Sequence, residues 1–146
     1  MSKPQIPSVT LKRKLSAPAE KVFAAWTDPE KIVGWFGPKE TRDGSVRADM
    51  DVRKGGKYCI SFNTADGDYH QVGGTYLEVV PNEKLVFSWA WHSTPERESL
   101  VTVTLKADGA TTLLTLLHER FFDEKARAGH ERGWTGTLEK LELYLA

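Results

Sequence analysis

The chain has 146 residues, the usual size of one domain, and it can bury a core without disulfides or metals. Lys plus Arg and Asp plus Glu number 20 each, so no net field attracts nucleic acid, and we expect no nucleic-acid partner. A single cysteine, Cys59, excludes an internal disulfide and suits a reducing compartment. The sequence has neither an apolar run of transmembrane length nor a signal-peptide core, so we expect a cytoplasmic protein.

The first part of the chain predicts one strand followed by two short helices. Residues 9–15 alternate apolar and polar side chains, which is typical of a half-buried strand. Pro18 suits a first helical turn, and apolar residues follow it at helical spacing. Asp28 and Pro29 begin a second helix that ends at residues 37–38. We expect the corner between the two helices to border the mouth of any pocket.

Between residues 46 and 119 the sequence predicts a series of strands, the first over residues 46–52, because apolar and polar side chains alternate. Turn residues at 65–68, 81–82 and 108–109 divide this stretch into hairpins. The strands therefore form an antiparallel sheet with one covered face. Aromatic side chains on that face include Tyr58, Phe62, Trp89 and Trp91.

The C-terminal segment changes to a helical period. Its apolar face carries Trp134, Leu138, Leu141 and Leu145 and, extended backwards, passes through His130. Because glycine is costly inside a helix, we expect a break near Gly129 and close backbone packing at Gly133. The fold class is α+β, with this helix on one face of the sheet, and the space between them is either solid or hollow.

Several motifs occur in a characteristic order over nearly the whole chain. They are residues 13–18, 22–30, 34–38, 51–56, 74–76 and 81–89, followed by His130, Gly133, Trp134, Leu138 and Leu141. This set resembles the heat-shock-protein-90 ATPase activator homologues, a family of the START-like, helix-grip superfamily. The resemblance implies one helix-grip domain over residues 1–146, in which a curved antiparallel sheet wraps around a long C-terminal helix and leaves a cavity.

The resemblance also implies a function: binding of a small hydrophobic molecule in that cavity, with no catalytic residue assigned. Some related subfamilies are cyclases, so a cyclase- or hydrolase-like enzyme using His118 or Arg13 is an alternative. A chaperone partner is another, although relatives with that role carry an additional N-terminal domain for which residues 1–8 leave no room. Since no phosphate loop and no metal-ligand spacing occur, we expect no cofactor and no metal.

Ten residues are candidates for the wall of the cavity. Trp and Tyr carry polar tips, so their abundance favours a partly open pocket, but a solid aromatic core gives the same pattern. His118 and His130 face the covered side and either orient a ligand or are ordinary core or rim histidines. Arg13 shares the parity of the buried positions and either pairs with a carboxylate such as Glu78 or Glu119 or binds an anionic group of the ligand. The candidates are Arg13, Trp35, Tyr58, Phe62, Tyr76, Trp89, Trp91, His118, His130 and Trp134.

Overall fold

The computed structural model describes residues 8–146, and within them it has seven strands and three helices. In chain order these are β1 (Ser8–Leu15), α1 (Ala19–Thr27), α2 (Pro29–Ile32), β2 (Arg47–Met50), β3 (Lys57–Asn63), β4 (Tyr69–Val80), β5 (Lys84–Trp91), β6 (Ser99–Asp108), β7 (Thr111–Glu119) and α3 (Glu124–Leu145). Expectations about a leader segment or a preceding domain concern residues 1–7 and lie outside the described residues. Among residues 8–146, no helix combines the length and apolarity that crossing a membrane requires.

The strands form one curved antiparallel sheet in the order β1-β7-β6-β5-β4-β3-β2. From β2 to β7, each strand pairs with the next along the chain, as hairpin connections require, while β1 pairs with β7. Helices α1 and α2 therefore connect the two edge strands of the sheet. This arrangement confirms the α+β helix-grip fold and the two short helices after the first strand.

The long helix α3 runs without interruption, so the expected break near Gly129 is wrong. Asp123 begins the helix by accepting a hydrogen bond from the Ala126 backbone N–H at 2.8 Å. Trp134 and Leu138 are buried against the sheet, with 3% and 0% of their surface exposed. Because tertiary packing of an apolar face stabilises most protein helices, this anchoring offsets the cost of the glycines.

The core lies between the inner face of the sheet and the helices. Trp26 of α1 and Trp35 contact each other edge to face, with ring centroids 4.8 Å apart. The burial of Trp134 confirms that the last helix covers one face of the sheet. Asp28 caps α2 by accepting from the Glu30 N–H, as expected, and this bond lowers the pKa of the Asp28 carboxyl.

Candidate functional site

A cavity of about 340 Å³ lies between the sheet and the N-terminal half of α3. Strands β3 to β5 form one side, together with residues 36–38 after α2. Asp28 and Pro29 do not reach it, so their corner does not border the pocket as expected; residues 36–38 do. The lining residues are Phe36, Gly37, Pro38, Phe62, Thr64, His70, Trp89, Trp91, Ala126, Gly129, His130, Gly133, Trp134 and Thr137.

Two glycines keep the helical side of the cavity flat. A Cβ atom on Gly133 would have no described atom within 4 Å, and one on Gly129 would meet only Arg132 Nη2, at 3.9 Å. The close packing expected at Gly133 is wrong: it occurs at Gly136, where a Cβ would lie 3.0 Å from the Lys39 backbone nitrogen. A helical glycine costs about 0.5–1 kcal/mol relative to alanine. Among the described residues, none packs closely enough against Gly129 or Gly133 to offset this loss of helix stability.

Three tryptophans form most of the aromatic wall. The ring centroid of Trp89 lies 5.5 Å from that of Trp91 and 5.1 Å from that of Trp134. Trp89 and Trp134 are buried, and Trp91 is half-buried. Phe62 and Phe36 extend the wall, with centroids 6.2 Å apart. Edge-to-face and tilted contacts are the arrangements that aromatic rings prefer when they pack together.

His118 lies behind this wall and does not line the cavity. Trp134 Nε1 donates to His118 Nδ1 at 2.9 Å; an indole N–H cannot accept, so Nδ1 carries no proton. The ring proton is on Nε2, which donates to Ser99 Oγ at 2.7 Å, and Ser99 donates to the Trp89 carbonyl. Burial, with a smaller effect of the neighbouring His130, lowers the pKa of His118 to about 2. His118 is therefore neutral and orients Trp134.

His130, one helical turn before Trp134, does line the cavity. Its Nε2 accepts a hydrogen bond from Trp91 Nε1 at 2.9 Å, which joins α3 to β5. Its Nδ1 carries the proton and donates to the Ala126 carbonyl at 2.7 Å. Burial lowers the pKa of His130, and the bond to Ala126 offsets part of that effect. Both ring nitrogens thus have partners within the protein.

His70 and Thr64 form a polar edge of the cavity that was not among the candidates. Thr64 Oγ1 donates its proton to Asp66, and this bond is the main cause of a lowered pKa at Asp66. His70 Nε2, 3.3 Å from Thr64 Oγ1, therefore donates to that hydroxyl. The sequence contained a signal for His70 as a lining residue. A turn over residues 65–68 pairs Phe62 with His70 and places both side chains on the same face of the sheet.

Five of the ten candidates line the cavity: Phe62, Trp89, Trp91, His130 and Trp134. Five do not: Arg13, Trp35, Tyr58, Tyr76 and His118. Trp35 is fully buried, and its Nε1 donates to a backbone carbonyl of α1 at 3.1 Å. Tyr58 and Tyr76 border a separate void of about 20 Å³, and the Tyr58 hydroxyl donates to the Ser88 carbonyl. Burial raises the pKa of both phenols, so they stay protonated.

Arg13 pairs with a carboxylate, but with neither one named from the sequence. Its Nε lies 3.5 Å from Glu142 Oε1 on α3. Glu78 instead pairs with Lys84, and Glu119 lies opposite Ser8 in the sheet, five residues along β1 from Arg13. Strand parity indicated that Arg13 needs a partner, but the partner comes from a helix that crosses β1.

Neither His118 nor Arg13, the residues named for the enzymatic alternative, lines the cavity. Among residues 8–146, no three His, Cys, Asp or Glu side chains are grouped so that they could hold a metal ion. The surface that a bound molecule would contact is apolar except near Thr64, His70 and Thr137.

A family profile described as "Activator of Hsp90 ATPase homolog 1-like protein" matches residues 16–146. The chain belongs to this family. The resemblance inferred from the sequence motifs is confirmed, and the fold is consistent with the START-like superfamily. No protein of curated function matches the chain.

Solved structures of similar proteins share this family's fold. CV1439 from Chromobacterium violaceum is 28% identical, with a TM-score of 0.81 over 95% of this chain and 97% of its own. The AHSA1 protein SPO3351 from Silicibacter pomeroyi is 26% identical, with a TM-score of 0.79 over 94% of this chain and 96% of its own. CalU16 from Micromonospora echinospora is 27% identical, with a TM-score of 0.71 over 95% of this chain and 76% of its own.

Proposed function

We propose that this protein binds one small apolar molecule in the cavity between the sheet and α3. The observation that carries the proposal is the pair of helical glycines, Gly129 and Gly133, facing open space. Alanine at either position would stabilise the helix by about 0.5–1 kcal/mol. Because no close packing accounts for the glycines, their effect is to keep the space free, as a ligand requires.

The size and chemistry of the cavity fit this role. Its volume of about 340 Å³ is at the lower end of the ~300–1,000 Å³ of small-molecule sites. Its wall is mostly apolar, with aromatic rings on the sheet side, so affinity comes mainly from removing apolar ligand surface from water, about 25 cal/mol per Å². Thr64 and His70 supply polar groups at one edge, where they would orient a ligand that carries a single hydrogen-bonding group.

The family supports the same conclusion at a coarser level, since proteins of this fold commonly bind ligands. A chaperone partner stays a prediction that a pull-down with heat-shock protein 90 would test. Cytoplasmic localisation likewise stays a prediction.

Binding can be tested by titration with anilinonaphthalene sulfonate, a probe whose fluorescence rises in apolar sites. The wild type should bind it saturably. Gly133→Leu, whose side chain would enter the cavity, should lose most of the signal. Glu139→Leu is the matched control: it adds the same side chain at an exposed position of α3 and should bind like the wild type.

Native mass spectrometry of freshly purified protein gives an independent test, because a retained ligand adds a defined mass. Thermal unfolding should show that both leucine variants are folded. Absence of saturable probe binding by the wild type, or equal binding by Gly133→Leu, would overturn the proposal.

A further inference from the structure

Another void, of about 90 Å³, adjoins the main cavity beside β5. The two spaces share Trp89, Trp91, Ala126 and His130 in their linings. The remaining lining residues of this side void are Thr94, Arg97, Ser99, Phe121 and Phe122. Phe122 is 64% exposed, and the Arg97 guanidinium lies over its ring, 4.0 Å from the ring centroid.

The hydrogen bond between Trp91 and His130 links two residues that border both spaces. It connects β5 to α3 over 2.9 Å, and both rings are half-buried. His130 is held to the helix by its second bond, to Ala126. The indole N–H of Trp91 has His130 as its partner, and the two rings are also in contact, with centroids 6.0 Å apart, so this pair joins the Trp91 ring to the helix.

We propose that the Trp91–His130 pair is a partition that limits the length of the ligand, and that an unbranched alkyl chain enters the side void when the partition opens. This inference rests on the proposed function and names the ligand shape and the residues that select it. The side void would hold about three water-sized groups at ~30 Å³ each, and it is smaller than the ~150 Å³ of a site that takes benzene. A chain of methylene groups fits there, whereas an aromatic ring does not.

The test uses primary alkanols from hexanol to dodecanol as competitors of anilinonaphthalene sulfonate. For the wild type, affinity should rise with chain length and then level off where the chain meets Trp91. For Trp91→Ala the rise should continue for about three more carbons. Each of these additional carbons should tighten binding by about fourfold, which is equivalent to the ~0.8 kcal/mol gained by burying a methylene group.

A second substitution separates entry into the side void from simple loss of the indole. Thr94 is half-buried and lines the side void without reaching the main cavity. Thr94→Met should fill most of that void with an unbranched side chain, so affinity for the double variant Trp91→Ala/Thr94→Met should level off at the wild-type alkanol length. If the double variant still prefers longer alkanols than the wild type does, the alkyl chain occupies the space left by Trp91, and the inference is wrong.

Trp91→Phe provides a milder change, because it removes the N–H and keeps an aromatic ring. It should show a smaller shift in the same direction, and it serves in place of Trp91→Ala if that variant does not fold. An unchanged length limit in a folded Trp91 variant would overturn the partition while leaving ligand binding intact. Failure of the wild type to bind either the probe or any alkanol would overturn the proposed function as well.

Discussion

Replacement of Gly133 by alanine should make the protein more stable and a poorer binder. The position is helical, and a Cβ atom there would have no described atom within 4 Å, so the new methyl group causes no clash. The free energy of unfolding should rise by the difference in helix propensity between alanine and glycine, about 1 kcal/mol. For a domain of this size, that corresponds to a rise of about 3 °C in Tm.

The same methyl group takes space from the cavity. A group that occupies ~30 Å³, about the volume of one water molecule, removes roughly a tenth of the 340 Å³. Affinity for anilinonaphthalene sulfonate should therefore fall while stability rises. Urea unfolding followed by tryptophan fluorescence measures the stability, and a fluorescence titration measures the affinity.

Gly136→Ala is the matched control on the same helix. Its new Cβ would lie 3.0 Å from the Lys39 nitrogen and 3.2 Å from the Lys39 Cβ, so the tight contact opposes the gain in propensity. Gly133→Ala should be the more stable of the two variants. A loss of stability in Gly133→Ala, or equal effects at the two positions, would refute the argument that Gly133 faces open space.

Three further predictions concern the wall and its surroundings. Trp89→Ala should lower the free energy of unfolding, measured with urea, by about 3 kcal/mol. This is the low end of the range for a buried aromatic ring, and we expect it because the ring borders the cavity. A loss of about 5 kcal/mol would indicate a ring packed on all sides. His118 is neutral in the folded protein, whereas in the unfolded chain it binds a proton below about pH 6.5. The free energy of unfolding should therefore fall by about 1.4 kcal/mol per pH unit as the pH is lowered below that value. A free energy of unfolding that stays constant between about pH 7.5 and about pH 5.5 would contradict this. A double-mutant cycle between Arg13 and Glu142, whose side chains are 28% and 43% exposed, should give a coupling below about 1 kcal/mol; a coupling of several kcal/mol would mean that the pair is not solvent-screened.

The order and type of the elements could be predicted from the sequence, because they depend on local chemistry. Alternation with a period of two marks the sheet strands, and the turns at residues 65–68 and 108–109 join neighbouring strands. Asp28 and Pro29 begin a helix for reasons of capping and dihedral angle that act within one turn. The strand expected over residues 46–52 is shorter, Arg47–Met50, since the ends of an edge strand depend on its one neighbour.

Helical periodicity also placed Trp134 and His130 on the face of α3 that meets the sheet. It could not show what Gly129 and Gly133 do, because propensity alone makes glycine a helix breaker. The packing of the rest of α3 keeps the helix intact, and the two glycines then leave the cavity open. Whether a glycine ends a helix or makes room beside it depends on neighbours distant in sequence.

Parity along a strand tells which side of the sheet a residue faces, but not how deep it lies or what lies beside it. His118 of β7 and His130 of α3 both lie between the sheet and the helix. His118 is buried behind Trp134, however, whereas His130 lines the cavity. Arg13 likewise has an ion-pair partner, Glu142, from a helix more than a hundred residues away along the chain. These outcomes depend on the distances between elements, which the path of α3 across the curved sheet determines and which no local pattern contains.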